Sequence, residues 1–136
     1  MFLLDTNVLF AAVYQAHIHH YPANRWLMAA ERYATCGLTQ VGAFRLLLTK
    51  AATNNYPLEV ADAHAVLADL ANSERHVFLA TCSALSEEFV GQTPGPKAAF
   101  DDYLVQIACS VDCKLATFDR ALTNRWSAHT VLIQQA

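Results

Sequence analysis

The chain lacks most of the features that assign a protein to a class by composition alone. Only 15% of its 136 residues are charged, and the formal charge is −3 with a pI near 6.0, so it has no bulk basic signature of a nucleic-acid binder. Glycine and proline occur four times each and form no low-complexity tract, which excludes collagen-like and linker-like chains. The four cysteines, Cys36, Cys82, Cys109 and Cys113, contain no CxxC pair. A local zinc knuckle is therefore excluded, and free, mostly buried thiols in a reducing compartment are expected. The longest apolar runs, such as residues 8–14, fall far short of the roughly 20 residues of a membrane span. The apolar N-terminus has no basic flank and is interrupted by Asp5, unlike a signal peptide. What is present is apolar mass: 54% hydrophobic residues suffice for a core without disulfides or a structural metal. The expectation is one domain over residues 1–136, soluble and cytoplasmic.

Charge is unevenly spread. Between residues 57 and 90 lie six acids and the single base Arg75, a local net of −5. The remainder holds six acids and eight bases, a net of +2. The sign of the whole chain is set by one segment, and the rest is compatible with a polyanionic partner.

Residues 1–4 predict a strand buried on both faces, closed by Asp5-Thr6-Asn7, three residues that favour turns and caps. Helices are predicted over 8–15, from His20 onward, and through Phe44, Leu47, Leu48 and Ala51, the last fading at Asn54-Asn55. Pro57 suits the first turn of another helix, with Val60, Ala63, Leu67 and Leu70 turned inward. Strand character recurs at 34–39, 76–81, 114–118 and 130–133. A glycine–proline loop at 91–96 precedes a helix that aligns Leu104, Ala108 and Val111, and 119–125 reads as a short helix. Apolar strands alternating with helices predict an α/β fold: a three-layer α/β/α sandwich around a parallel, doubly wound sheet.

In such sheets ligands bind beyond the carboxyl ends of the strands. Asp5 and Asp119 each follow a predicted strand, and Asp101 opens the late helix. Asp101 and Asp102 point about 100° apart on a helix and cannot both serve one spot. Each acid can also be read as a cap or a helix-dipole partner. If the acids converge, their repulsion favours a divalent cation, and oxygen ligands favour magnesium or manganese.

MFLLDTNVL at 1–9 resembles the opening of PIN-domain ribonucleases, in particular the VapC toxins of bacterial toxin–antitoxin pairs. The likeness continues in HIHH followed by Trp26, in TCGLTQVGAFRLLLT at 35–49, in FDDYLVQIA at 100–108 and in KLATFDRAL at 114–122, in family order. The resemblance implies a Mg²⁺- or Mn²⁺-dependent endoribonuclease leaving a 5′-phosphate and a 3′-hydroxyl. It implies that Asp5, Asp101 and Asp119 are the catalytic and metal-holding acids, with Asp101 preferred over Asp102 because it stands two residues before Tyr103. Many relatives carry a further acid at the start of the third helix. Here that stretch holds Gln40 and no carboxylate, so one cation is expected and not two. Gln40 and Asn7 can offer neutral oxygens or hold a water, and Thr6 and Thr117 flank the acids as hydrogen-bonding supports. Arg45 and Arg120, beside the acids, are candidates for phosphate contact, as is Lys97. Partners implied are RNA, a VapB-like antitoxin and a second copy of the chain, with no membrane. The missing acid motivates the alternative of a catalytically weakened PIN-like module that binds RNA or protein. His17, His19 and His20 look like a metal cluster, but only 17 and 20 share a helix face, so a surface or helix-entry role is expected.

Overall fold

Leu3 and Leu4 define the layers. Neighbours on a strand point to opposite faces, yet both leucines are completely buried, each in a different hydrophobic core. Their strand must therefore be covered on both sides. The computed structural model describes residues 1–80 and 82–135 of the chain. Strands β1 (Phe2–Leu4), β2 (Tyr33–Cys36), β3 (His76–Leu79), β4 (Lys114–Thr117) and β5 (Thr130–Leu132) form one parallel sheet in the order β3-β2-β1-β4-β5. One face is covered by α1 (Thr6–Val13), α2 (His20–Ala29), α3 (Gly37–Leu47) and α4 (Val60–Ala71), whose Val8, Leu27, Leu47 and Ala63 join the core of Leu4. The other face packs under α6 (Ala99–Ser110) and α7 (Arg120–Arg125), whose Leu104, Ile107 and Leu122 join Leu3 and Leu115; Phe89 of the short α5 (Glu87–Val90) lies against the same core. This is the expected α/β/α sandwich. Among the described residues no helix is long and apolar enough to cross a membrane.

Element ends differ from expectation for local reasons. α3 stops at Leu47, and a 3₁₀ turn at Ala51–Thr53 follows before Asn54 and Asn55 take positive φ. Leu58 then donates its N–H to Leu47 O at 2.9 Å, holding Pro57 outside α4, which starts only at Val60. Val60 is exposed, so the inward face of α4 begins at Ala63. Strand β3 ends at Leu79; Thr81, included in the expected strand, lies outside the described residues. Val111, expected to align with the late helix, is its C-cap. All four cysteines are free thiols; Cys36 and Cys113 are buried and Cys82 is exposed.

The histidines tie the α1–α2 turn together. His17 Nδ1 accepts the His19 N–H at 2.9 Å, His20 Nδ1 bonds Ala11 O at 2.8 Å, and the His17 and His19 rings lie against Phe10 and Phe118. Trp26 stacks edge-on against Phe2 at 5.1 Å, a core role.

Helix α3 lies close against the start of α1, and Gly42 sets that distance. A Cβ at Gly42 would stand 2.8 Å from Thr6 Cγ2 and 3.1 Å from Thr6 Oγ1. Overpacking costs about 1–3 kcal/mol, more than the roughly 1 kcal/mol that alanine gains over glycine in a helix. Gly42→Ala should therefore lower Tm, and adding Thr6→Ala should restore it; a Gly42→Ala variant melting above wild type would contradict this packing.

Candidate active site

The strand order places a topological switch between β1 and β4, because the chain winds outward from β1 through β2 and from β4 through β5. A crevice opens there beyond the strand ends; Asp5 lines it, and Asp119 follows β4 beside it without lining it. Asp5 follows β1, and its N–H donates to Ala116 O at 2.9 Å, continuing the ladder with β4. That register sets Thr117 beside it: the Thr117 hydroxyl donates to Asp5 Oδ2 at 2.7 Å. The same hydroxyl oxygen accepts the Asp119 N–H at 3.0 Å. One threonine thus links two acids from distant parts of the chain. Asp119 Oδ1 caps α7 by accepting the Leu122 N–H at 3.0 Å. Asp5 occupies the N-cap position of α1 but makes no side-chain cap bond.

The third acid comes from the first turn of α6. Asp101 and Asp102 diverge as helical geometry requires. Asp101 lines the crevice, whereas Asp102 is turned inward and is 1% exposed. The crevice holds about 400 Å³ and is bounded by Asp5, Thr6, Asn7 and Asp101, by Arg45 and Gly42 of α3, and by an apolar wall that includes Leu38, Val41 and Phe100. Phe100 is 68% and Val41 66% exposed, which sequence periodicity did not single out.

The other expected site residues are distributed as follows. Arg45 faces the crevice. Arg120, exposed, adjoins Asp119 at the start of α7 without lining the crevice. Lys97 is exposed on the 3₁₀ turn Pro96–Ala98 and also does not line it. Gln40 turns away from the acids: its Nε2 donates to Thr35 Oγ1 at 2.9 Å, and Thr35 Oγ1 bonds His76 Nε2 at 2.7 Å. The third-helix position thus contributes no oxygen to the crevice. None of the six acids between 57 and 90 lines it either.

Burial raises the Asp5 carboxyl above its ordinary value, opposed by the Thr117 hydroxyl and the Thr6 N–H and reinforced by Asp119. Asp101 is pushed up to about 7, first by burial, then by Asp5, Asp119 and Asp102, with Arg125 pulling the other way. Among the described residues the one ion pair joins Arg125 to Asp102, so Asp5, Asp101 and Asp119 have no cationic partner. A carboxylate set with an excess of negative field and hard oxygen donors suits a divalent ion such as Mg²⁺ or Mn²⁺. Among the described residues no group of three or more acid, histidine or cysteine side chains stands close enough together to hold a metal ion as a ready-made cage. Magnesium, which keeps several of its waters, does not require one.

A carboxyl raised on folding favours the native state below its unfolded value, near 3.8 for Asp101, and that advantage is lost as pH rises through about 7. With EDTA present, Asp101→Asn should match wild-type Tm near pH 4 and exceed it at pH 8. Equal melting of the two proteins at pH 8 would refute the buried, mutually repelling arrangement.

Comparison with known proteins agrees with this geometry. The model of the PIN domain family matches residues 2–125. Ribonuclease VapC29 of Mycobacterium tuberculosis is 35% identical over 132 residues, covering 96% of this chain and 95% of that protein. Ribonuclease VapC38 of the same organism is 34% identical over 121 residues, with 88% and 85% covered. Ribonuclease VapC44 is 32% identical over 127 residues, with 88% and 87% covered. A parallel sheet in this order, acids at its switch point and likeness along nearly the whole length make the chain a member of the PIN-domain family, of the VapC ribonuclease type.

Proposed function

We propose that the crevice hydrolyses RNA phosphodiester bonds and that the chain is a divalent-metal-dependent endoribonuclease, the toxin of a type II toxin–antitoxin pair. The observation that carries this reading is that Asp5 and Asp101 line one crevice, with Asp119 linked to Asp5 through Thr117 just outside that lining, and that none of the three is ion-paired. The names of the VapC relatives support the substrate class. In this reading residues 1–136 act as one cytoplasmic PIN-like unit that forms a homodimer and is restrained by a VapB-like antitoxin.

The three acids would hold Mg²⁺, with Mn²⁺ able to substitute. When bound, the ion supplies positive charge that offsets the phosphate and makes water more acidic. The chain's own residues do the rest. Thr117 fixes the Asp5 carboxylate and the backbone ahead of Asp119, so two of the acids keep one orientation. Asp119 or Asp101 would orient the attacking water or take its proton. Thr6 and Asn7, at the rim, can hold that water in line. Arg45 offers a guanidinium to a phosphate in the crevice, and Arg120 extends the contact outside it. Gln40, with its amide spent on Thr35, supports a one-ion site. The competing reading, a weakened PIN-like binding module, draws on that same absent fourth acid.

Two measurements test the proposal. Asp5→Asn and Asp101→Asn should each cut RNA cleavage in Mn²⁺ by about 100-fold or more; cleavage by both at the wild-type rate would overturn the site, and a wild type inert in Mg²⁺ and Mn²⁺ alike would favour the binding module. Arg45→Ala should raise KM about tenfold, with kcat retained, and should flatten the dependence of KM on salt. An unchanged KM would remove Arg45 from the substrate path.

A further inference from the structure

Asp102 is the carboxylate the crevice does not use. Three donors converge on it: Thr93 Oγ1 donates to Oδ2 at 2.8 Å, and Arg125 Nη2 and Trp126 Nε1 donate to Oδ1 at 2.5 and 2.9 Å. Burying such a pair is costly, and apolar residues of similar volume commonly do as well for stability. Its position offers another reason for it. Asp102 directly follows Asp101 in the first turn of α6, while Arg125 and Trp126 stand at the far end of the helix that Asp119 begins. The network therefore joins α6, which carries Asp101, to the far end of α7, the helix capped by Asp119. It also captures Arg125, whose side chain is 31% exposed and whose field reaches Asp101.

We propose that Asp102 is a positioning residue for the cation site. It holds Arg125 away from Asp101 and ties the end of α7 to the start of α6, so that Asp101 faces the crevice as a bare carboxylate. The inference rests on the reading of the crevice as a cation site. Without the negative charge at 102, the Arg125 guanidinium loses its ion pair, and Asp101 is a carboxylate its field already reaches. A guanidinium engages both oxygens of a carboxylate, the atoms a divalent ion would need. The buried pair thus acts as insulation: it keeps an internal cation from occupying the place of an external one.

Asp102→Asn keeps an oxygen for Trp126 and a group that can bond Thr93, and removes only the charge. The test is a calorimetric titration with Mn²⁺ alone, with circular dichroism and Tm recorded for every variant. Asp102→Asn should weaken Mn²⁺ binding about tenfold, the scale of an outer-shell defect. Adding Arg125→Gln should return the affinity to the wild-type range, because the competing cation is gone. Cleavage by Asp102→Asn should recover at saturating Mn²⁺. Wild-type affinity in Asp102→Asn, or no rescue in the double variant, overturns the proposal. If Asp102→Asn does not fold, Arg125→Gln alone decides: the proposal expects a lower Tm with Mn²⁺ bound at least as tightly as by wild type, and weaker binding overturns it. Asp101→Asn separates the two levels of the argument. If it binds Mn²⁺ like wild type, the cation site itself is misassigned; if it loses binding while Asp102→Asn does not, only the role of Asp102 fails.

Discussion

A single hydroxyl, that of Thr117, is the constraint around which the crevice is organised. It donates to Asp5 and accepts from the backbone of Asp119, so both of its functions are used within the site. Its place is fixed by the sheet: the Asp5 N–H continues the pairing of β1 with β4, and Ile133 donates its N–H to Thr117 O at 2.8 Å from the other side. Thr117 therefore sits in a ladder paired on both edges, and the acids inherit that rigidity. A buried carboxylate without a partner would be costly. Here the Thr117 hydroxyl and the Thr6 N–H lower the cost without neutralising the charge, leaving Asp5 polar enough to attract a cation.

The distribution of charge follows the same logic. The acidic segment is carried largely by the solvent side of α4 and by the stretch around α5, remote from the crevice lining. At the crevice Asp5, Asp101 and, just outside its lining, Asp119 repel one another, while Asp102, next to Asp101 on the helix, is paired with Arg125. Two neighbouring aspartates thus have opposite fates because the helix turns them to different surroundings. One meets donors and is satisfied; the other meets carboxylates and is not. The unsatisfied one is raised to about 7, where its protonation can respond to a ligand.

Much of this was legible in the sequence. Asp5 and Asp119 stand after apolar runs, and strand ends are where parallel sheets bind ligands, so their place followed from period and topology. The choice of Asp101 over Asp102 needed the resemblance, since helical spacing alone says only that they diverge. The satisfaction of Asp102 was not legible: its donors, Thr93, Arg125 and Trp126, lie between 9 and 24 residues away and meet it only when the loop before α6 and the end of α7 are folded onto the start of α6. Gln40 was misleading for a similar reason. Its position matches the helix that carries the family's further acid, but its amide donates to Thr35, whose hydroxyl is in turn bonded to His76. Gly42 did give a signal, an isolated glycine within a helical pattern, which marks close packing. Periodicity could not tell that the partner would be Thr6.

The bond between Thr117 and Asp5 spans 112 residues of sequence. Contacts of such separation form late, after the intervening loop has been closed. On the ribosome Asp5 emerges well before β4, the strand that orients it. Asp101 and Asp119 both lie about a hundred residues further along the chain. No partially synthesised chain that stops short of β4 can hold the three acids together, so the site assembles only after β4 has followed, a built-in delay between making its first acid and arming it.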